Sequence, residues 1–130
     1  MRILADGSPT RTISEDQLNA HLDAFIERYP DVQRLLLLPP DITRLNSRAG
    51  EITAYLYEKL KDRCYVRIMP ALGTHIPMTE EEILRMFGSS VPFEVFLPHR
   101  WRDDLVVMGQ LSGEYISEIT DGKLEFSMDI

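Results

Sequence analysis

The sequence predicts an α/β fold, because short apolar strand patterns alternate along the chain with amphipathic helix patterns. Three of the strand patterns end at a proline and lead into a polar loop, at Pro39, Pro70 and Pro98. Parallel strands joined by right-handed helical crossovers place their carboxyl ends at one edge of the sheet. We therefore expect a three-layer, Rossmann-like, mostly parallel sheet with helices on both faces, and short antiparallel strands at the C-terminal end.

The first helix is predicted to follow a short strand at Ile3-Leu4. Ser14 and Gln17 have the spacing of a capping box, and Pro30 marks the end of the helical pattern. The apolar residues that recur at helical spacing between them are Leu18, Leu22, Phe25 and Tyr29.

The next strand is predicted over residues 34–38, from the apolar run Leu35–Leu38. Since four successive apolar residues suit a strand covered on both faces, we expect a buried, central strand. Pro39-Pro40 ends it, because proline cannot donate to the ladder. A second helix follows, with Asn46 or Ser47 as its expected cap. Its apolar stripe consists of Ile52, Tyr55, Leu56 and Leu60.

Strand and helix patterns continue in the same alternation up to Pro98. A strand is predicted over Tyr65–Met69 and another over Phe93–Leu97. Between them, Thr79 and Glu82 form a second capping box, which opens a short helix that ends at Gly88.

The C-terminal part begins with the alternating stretch Leu105–Met108. Gly113, Asp121-Gly122 and Leu124–Phe126 then indicate short strands joined by turns. No repeat or linker marks a boundary, so we expect residues 1–130 to form one domain.

Composition excludes several function classes. The net charge is −7, from 14 Lys and Arg against 21 Asp and Glu, which does not supply the basic face that nucleic acid requires. The only cysteine is Cys64, so neither an intramolecular disulfide nor a multi-thiolate zinc site is expected. No apolar segment of membrane-spanning length occurs. These observations indicate a cytoplasmic protein without nucleic-acid or membrane partners.

The loop after Leu38 carries a carboxylate and a guanidinium, Asp41 and Arg44, at the edge of the sheet where α/β proteins bind ligands. Arg44 offers a planar set of donors that suits a carboxylate or phosphate. The simpler interpretation is that Asp41 and Arg44 pair with each other, or that they cap the following helix.

His75 follows Gly73 in the next loop, where glycine permits a close approach to a ligand. A histidine there suits acid–base chemistry, although a purely structural histidine is equally consistent with the sequence. His99 and Arg100, in the third loop, are further candidates. The histidines form no metal-binding motif, and no phosphate-binding glycine loop or G-x-S-x-G motif is present.

Two motifs together resemble the N-terminal domain of the nickel-pincer lactate racemase family. Asp41-Ile42-Thr43-Arg44 matches the family pattern D-x-T-R, and Gly73-Thr74-His75 matches the start of G-x-H-R. A T-x-x-E helix start follows at Thr79 and Glu82. The chain departs from the pattern at Leu45, where the family usually has proline, and at Ile76, where it commonly has arginine.

The resemblance implies a 2-hydroxy-acid racemase or epimerase, an isomerase, whose substrate site includes Asp41, Thr43, Arg44 and Gly73. Arg44 would bind the substrate carboxylate, and His75 would be one of two histidines that exchange the hydroxyl proton. In the family the α-hydrogen moves as hydride to an organic nickel cofactor, because it is too weakly acidic for histidine to remove.

The family's cofactor-binding residues lie beyond Ile130, so we expect this chain to hold neither the nickel-pincer nucleotide nor any other metal on its own. The expected partners are a small hydroxy acid or other carboxylate and a C-terminal domain of the same, longer protein. The isolated domain is expected to be inactive. The alternative is a non-catalytic module that binds a small carboxylate or phosphate.

Overall fold

The computed structural model describes residues 7–130 and shows a mixed α/β fold, as predicted. It divides into two compact units, the first ending at His99 and the second running from Arg100 to Ile130. The predicted strand at Ile3-Leu4 lies outside the described residues, and the single domain over residues 1–130 stays a prediction. No helix in the described range is long and apolar enough to cross a membrane.

The first unit alternates helices with two short strands. Its described elements are α1 (Glu15–Ile26), β1 (Arg34–Leu37), a first 3₁₀ helix (Ile42–Ser47), α2 (Ala49–Leu60), β2 (Tyr65–Ile68), α3 (Glu80–Phe87) and a second 3₁₀ helix (Phe93–Val95).

Both predicted capping boxes are confirmed. The Ser14 hydroxyl accepts the Gln17 N–H at 3.3 Å before α1, and the Thr79 hydroxyl accepts the Glu82 N–H at 3.2 Å before α3. Each bond satisfies an N–H that has no partner within its helix. Helix α3 ends at Gly88, whose φ of 78° is easily adopted only without a side chain.

The start of α2 differs from the prediction. Its N-cap is Arg48, with a left-handed φ of 62° and no side-chain cap bond, and the expected caps Asn46 and Ser47 belong to the preceding 3₁₀ helix. The Ser47 hydroxyl nevertheless accepts the Ala49 N–H at 3.2 Å. The boundary moved because the loop after Asp41 is itself helical and runs almost directly into α2.

Strands β1 and β2 pair in parallel, with Leu37 opposite Ile68. The predicted strand over Phe93–Leu97 is wrong, since Phe93–Val95 is a 3₁₀ turn in which the Val95 N–H donates to Pro92. Within this segment only Phe96 makes a parallel bridge, which pairs it with Ile68. The described sheet is therefore small, and the finer expectation of a three-layer, Rossmann-like arrangement is not confirmed.

The core of this unit lies on one face of the strands. Ile68 is fully buried, and Leu35 and Leu37 pack against the same cluster. Leu36 and Leu38 are 48% and 58% exposed, so the prediction of a strand buried on both faces is wrong. An apolar run does not by itself show which faces other elements cover. The buried cluster contains Ile26, Leu56, Tyr57, Leu60, Val66, Ile68, Met86, Phe87, Val91 and Val95.

The second unit contains β3 (Gln110–Leu111), α4 (Gly113–Ile119) and β4 (Met128–Asp129). Strands β3 and β4 are antiparallel, which confirms the predicted strand type at the C-terminal end. Helix α4 occupies a region predicted to form strands and turns, and Leu124–Phe126 is not a strand. Ser112 caps α4 by accepting the Tyr115 N–H at 3.2 Å.

Candidate functional site

The site begins where the two parallel strands end. Beyond β1 and β2, Pro40 bridges Ala71, and the Ala71 N–H donates to the Pro39 carbonyl at 2.8 Å. This extra pairing aligns the two segments that leave the strands. Asp41 and the loop that carries His75 consequently start side by side.

Asp41 is only 4% exposed and caps the first 3₁₀ helix. Its Oδ1 accepts the Thr43 backbone N–H at 3.1 Å and the Thr43 hydroxyl at 2.5 Å. An Asp two residues before a Thr favours this local arrangement. Capping, one of the two simpler interpretations of Asp41, is thus observed, whereas its pairing with Arg44 is not among the described ion pairs.

The other carboxylate oxygen of Asp41 contacts His75. Its Oδ2 lies 2.5 Å from Nδ1 of His75, whose side chain is 50% exposed. A tight turn presents the ring, because the His75 N–H donates to the Leu72 carbonyl at 2.9 Å and Gly73 has a φ of 59°. Glycine adopts this left-handed conformation without the steric cost that other residues incur.

The electrostatics assign a protonation state to this pair. Burial raises the pKa of Asp41, but hydrogen bonds from the Thr43 hydroxyl, the His75 ring and the Thr43 N–H outweigh burial and leave the pKa below its ordinary value. An ionised carboxylate only accepts hydrogen bonds, so Nδ1 of His75 must donate. In the neutral ring, Nε2 is then the unprotonated nitrogen and can act as a base.

Arg44 is exposed and joins the same cluster. Its backbone N–H donates to the Asp41 carbonyl at 3.0 Å, and its Nη1 lies 3.4 Å from the Thr43 hydroxyl. Within residues 7–130, no ion pair involves its guanidinium, in contrast to Arg48, which contacts Glu51 at 2.7 Å. The donors of Arg44 that do not face Thr43 are therefore available to an anion.

The third predicted loop contributes differently from the other two. Nδ1 of His99 accepts the Leu72 N–H at 3.1 Å, so His99 contacts the turn that carries His75. Arg100 opens the second unit, where its Nε lies 3.6 Å from Asp104 and 4.0 Å from Asp103. The site role of Arg100 stays a prediction.

Sequence reasoning missed the Asp41–His75 contact, since the two residues are 34 positions apart and only the strand register brings them together. It also missed the Thr43 hydroxyl bond, for which the short spacing from Asp41 was a usable signal. The roles assigned to Asp41, Thr43, Arg44 and Gly73 in binding substrate, and to His75 in catalysis, stay predictions.

The described residues do not by themselves fit a nickel site. In residues 7–130, no group of three or more His, Cys, Asp or Glu side chains is placed to hold a metal ion. Asp41 and His75 form a pair with each other rather than part of such a group.

Comparison with known proteins supplies the family. The model of the lactate racemase N-terminal domain matches residues 11–126. The chain belongs to this family. The suspected resemblance is thereby confirmed, over almost all of the described residues.

A solved structure supports the fold of this lactate racemase N-terminal domain. A crystal structure of a protein from Thermotoga maritima aligns with a TM-score of 0.72 and 25% sequence identity, over 89% of this chain. The chain spans only 29% of the length of that protein. A comparison with curated proteins finds no match.

Proposed function

We propose that this lactate racemase N-terminal domain contributes part of the substrate site of a 2-hydroxy-acid racemase or epimerase. The observation that carries the proposal is the contact between the buried Asp41 carboxylate and the half-exposed His75 ring, with Arg44 beside it. The three residues come from the two motifs on which the family resemblance rests. Their placement matches the needs of an acid that carries a carboxylate next to a hydroxyl group.

Arg44 is the proposed carboxylate ligand. A guanidinium can donate two parallel hydrogen bonds to one carboxylate and stays charged at physiological pH. Its contact with the Thr43 hydroxyl, which in turn donates to Asp41, places the guanidinium close to the Asp41–His75 pair. This arrangement suits a substrate whose carboxylate and reacting carbon are adjacent.

His75 is the proposed proton acceptor and donor for the substrate hydroxyl. As the alcohol becomes a carbonyl, its O–H bond breaks and the proton moves to Nε2 of His75, while Nδ1–H continues to donate to the Asp41 carboxylate. The ionised Asp41 stabilises the positive charge that develops on the ring and, in the neutral ring, holds the hydrogen on Nδ1 so that Nε2 is the accepting nitrogen. The hydroxy acid is restored when this proton returns to the oxygen and the α-hydrogen returns to the carbon from its acceptor elsewhere in the full-length enzyme.

In this proposal Arg44 binds the substrate carboxylate and His75 exchanges the hydroxyl proton. None of the described residues is assigned to accept the α-hydrogen. The acceptor of that hydrogen belongs to the full-length enzyme that we propose, in a C-terminal domain of the same chain. Membership of the family does not favour the alternative of a non-catalytic anion-binding module. A histidine paired with a buried carboxylate is also more typical of acid–base sites than of sites that only bind an anion.

A titration tests the role of Arg44. D-lactate and L-lactate are added to the 130-residue chain and to Arg44→Ala, and binding is followed by chemical-shift changes of the His75 ring. Loss of one charge-assisted contact should weaken binding roughly tenfold or more. Arg48→Ala is the matched control, because the Arg48 guanidinium contacts Glu51. Equal binding by Arg44→Ala and the unaltered chain would exclude Arg44 as the carboxylate ligand.

His75 is tested in the full-length protein. His75→Ala should abolish nickel-dependent racemisation of the accepted hydroxy acid, since the hydroxyl proton would have no acceptor. The control is the thermal stability of the variant, whose Tm should fall by only a few degrees, because one charge-assisted bond to a half-exposed ring is lost. Unchanged racemisation by His75→Ala would remove this residue from the mechanism.

A further inference from the structure

His99 occupies a position that the proposed chemistry does not use. Its Nδ1 accepts the Leu72 N–H at 3.1 Å, and the Leu72 carbonyl in turn accepts the His75 N–H at 2.9 Å. The two peptide groups of Leu72 therefore connect one histidine ring to the backbone of the other histidine. His99 itself follows Leu97, whose N–H donates to the Ile68 carbonyl at 2.7 Å.

The accepting role of Nδ1 determines the tautomer of His99. A nitrogen that accepts from a backbone N–H carries no hydrogen, so the neutral His99 ring must carry its hydrogen on Nε2. His75 has the opposite arrangement, with the hydrogen on Nδ1 facing Asp41. The two histidines of this region are thus held in different tautomers by different partners.

An apolar pocket adjoins the His99 bond. This pocket, of about 180 Å³, is lined by residues of both segments, among them Leu72, Pro77, Phe96 and Pro98. Side chains that border empty space have fewer contacts to fix their relative position than close-packed side chains do. The His99 bond provides directional alignment at the margin of this pocket.

We propose that His99 is a positioning residue, which holds the Leu72–His75 turn so that the His75 ring stays in contact with Asp41. Gly73 adopts the left-handed conformation of this turn without steric cost, and the conformational freedom of glycine leaves the turn easy to distort. By accepting the Leu72 N–H, the His99 ring restrains the turn at its first residue. The catalytic consequence rests on the proposed function, whereas the positioning itself does not.

The test uses ¹⁵N-labelled 130-residue chain and does not need enzyme activity. A scalar coupling across the hydrogen bond between the Leu72 nitrogen and Nδ1 of His99 is expected, because N–H···N bonds transmit such couplings. His99→Leu and His99→Asn form a matched pair, since their side chains have the same shape and only Asn offers an acceptor near the position of Nδ1.

In His99→Leu, hydrogen exchange at the Leu72 amide should accelerate roughly five- to tenfold, and the neutral His75 ring should become a mixture of tautomers. His99→Asn should restore both readouts toward the unaltered chain. Absence of the coupling in the unaltered chain would overturn the proposal, even if His99→Leu failed to fold. A folded His99→Leu variant with unchanged His75 tautomer, or an Asn variant that behaves like Leu, would also overturn it. A failure of lactate binding or racemisation would bear on the proposed function alone.

Discussion

Replacing Asp41 by Asn separates its structural role from its role toward His75. The amide oxygen of Asn can still accept both bonds from Thr43, which preserves the cap of the first 3₁₀ helix. The amide nitrogen then faces Nδ1 of His75 and donates to it. The ring must move its hydrogen to Nε2, which leaves no base for the substrate hydroxyl.

The expected magnitudes follow from the bonds that change. Exchange of this charge-assisted bond to a half-exposed ring for a neutral one should lower the free energy of unfolding by about 1 kcal/mol. Asp41→Ala also removes the cap, worth about 1 kcal/mol, so its total loss should be about 2 kcal/mol. For a domain of this size, that corresponds to about 6–8 °C in Tm for Ala and roughly half of it for Asn.

Two assays separate these effects. The tautomer of His75 in Asp41→Asn is measured by long-range ¹H–¹⁵N correlation at a pH where the ring is neutral, and should change from Nδ1–H to Nε2–H. In the full-length protein that we propose, racemisation should fall by about 10²–10⁴-fold. An unchanged tautomer in the Asn variant would refute the assignment of Asp41 as the residue that orients His75.

Three further predictions concern the supports of the site. Gly73→Ala should lose about 1 kcal/mol of stability because of its φ of 59°, whereas Gly109→Ala, in open space, should be neutral; equal unfolding midpoints would contradict this. Gly50→Ala should lose about 1–2 kcal/mol in urea unfolding despite better helix propensity, since its Cβ would lie 1.9 Å from the Met86 carbonyl; a gain would show that α2 and α3 separate easily. The lowered pKa of Asp41 contributes stability above its unfolded-state value of 3.8, and this contribution disappears as pH falls through the folded-state pKa. The stability difference from Asp41→Asn should therefore shrink below about pH 3.8, and a constant difference from pH 7 to pH 2.5 would argue against it.

The sequence predicted local features well, because their causes are local. Ser14 and Thr79 lie at predicted caps since a capping box depends on residues three positions apart. The exposure of Leu36 was not predictable in the same way, because it depends on which elements cover each face of β1. Helix α4 was missed because it is short and begins at Gly113, a poor helix former.

The sequence predicted which loops form the site, but not which side chains bond to each other within it. Parallel pairing of β1 with β2 correctly indicated that the segments carrying Asp41 and His75 would meet. The partner of each side chain depends on the exact register, including the bridge of Pro40 to Ala71. Family motifs selected the residues, and the geometry adds that the Asp41 carboxylate contacts the His75 ring rather than the Arg44 guanidinium.

The exposure of Leu36 and Leu38 in the first unit has a consequence for handling the isolated chain in solution. Leu36 on β1 and Leu38 just beyond its end expose apolar surface, which promotes self-association between copies. Arg34 and Arg67 lie on the same face, with their guanidinium carbons 5.5 Å and 5.3 Å from the Tyr65 ring centroid. The two arginines oppose self-association, because their positive charges repel those of another copy when two such faces approach. Colloidal stability of concentrated samples should consequently decrease in high salt, where this repulsion is screened.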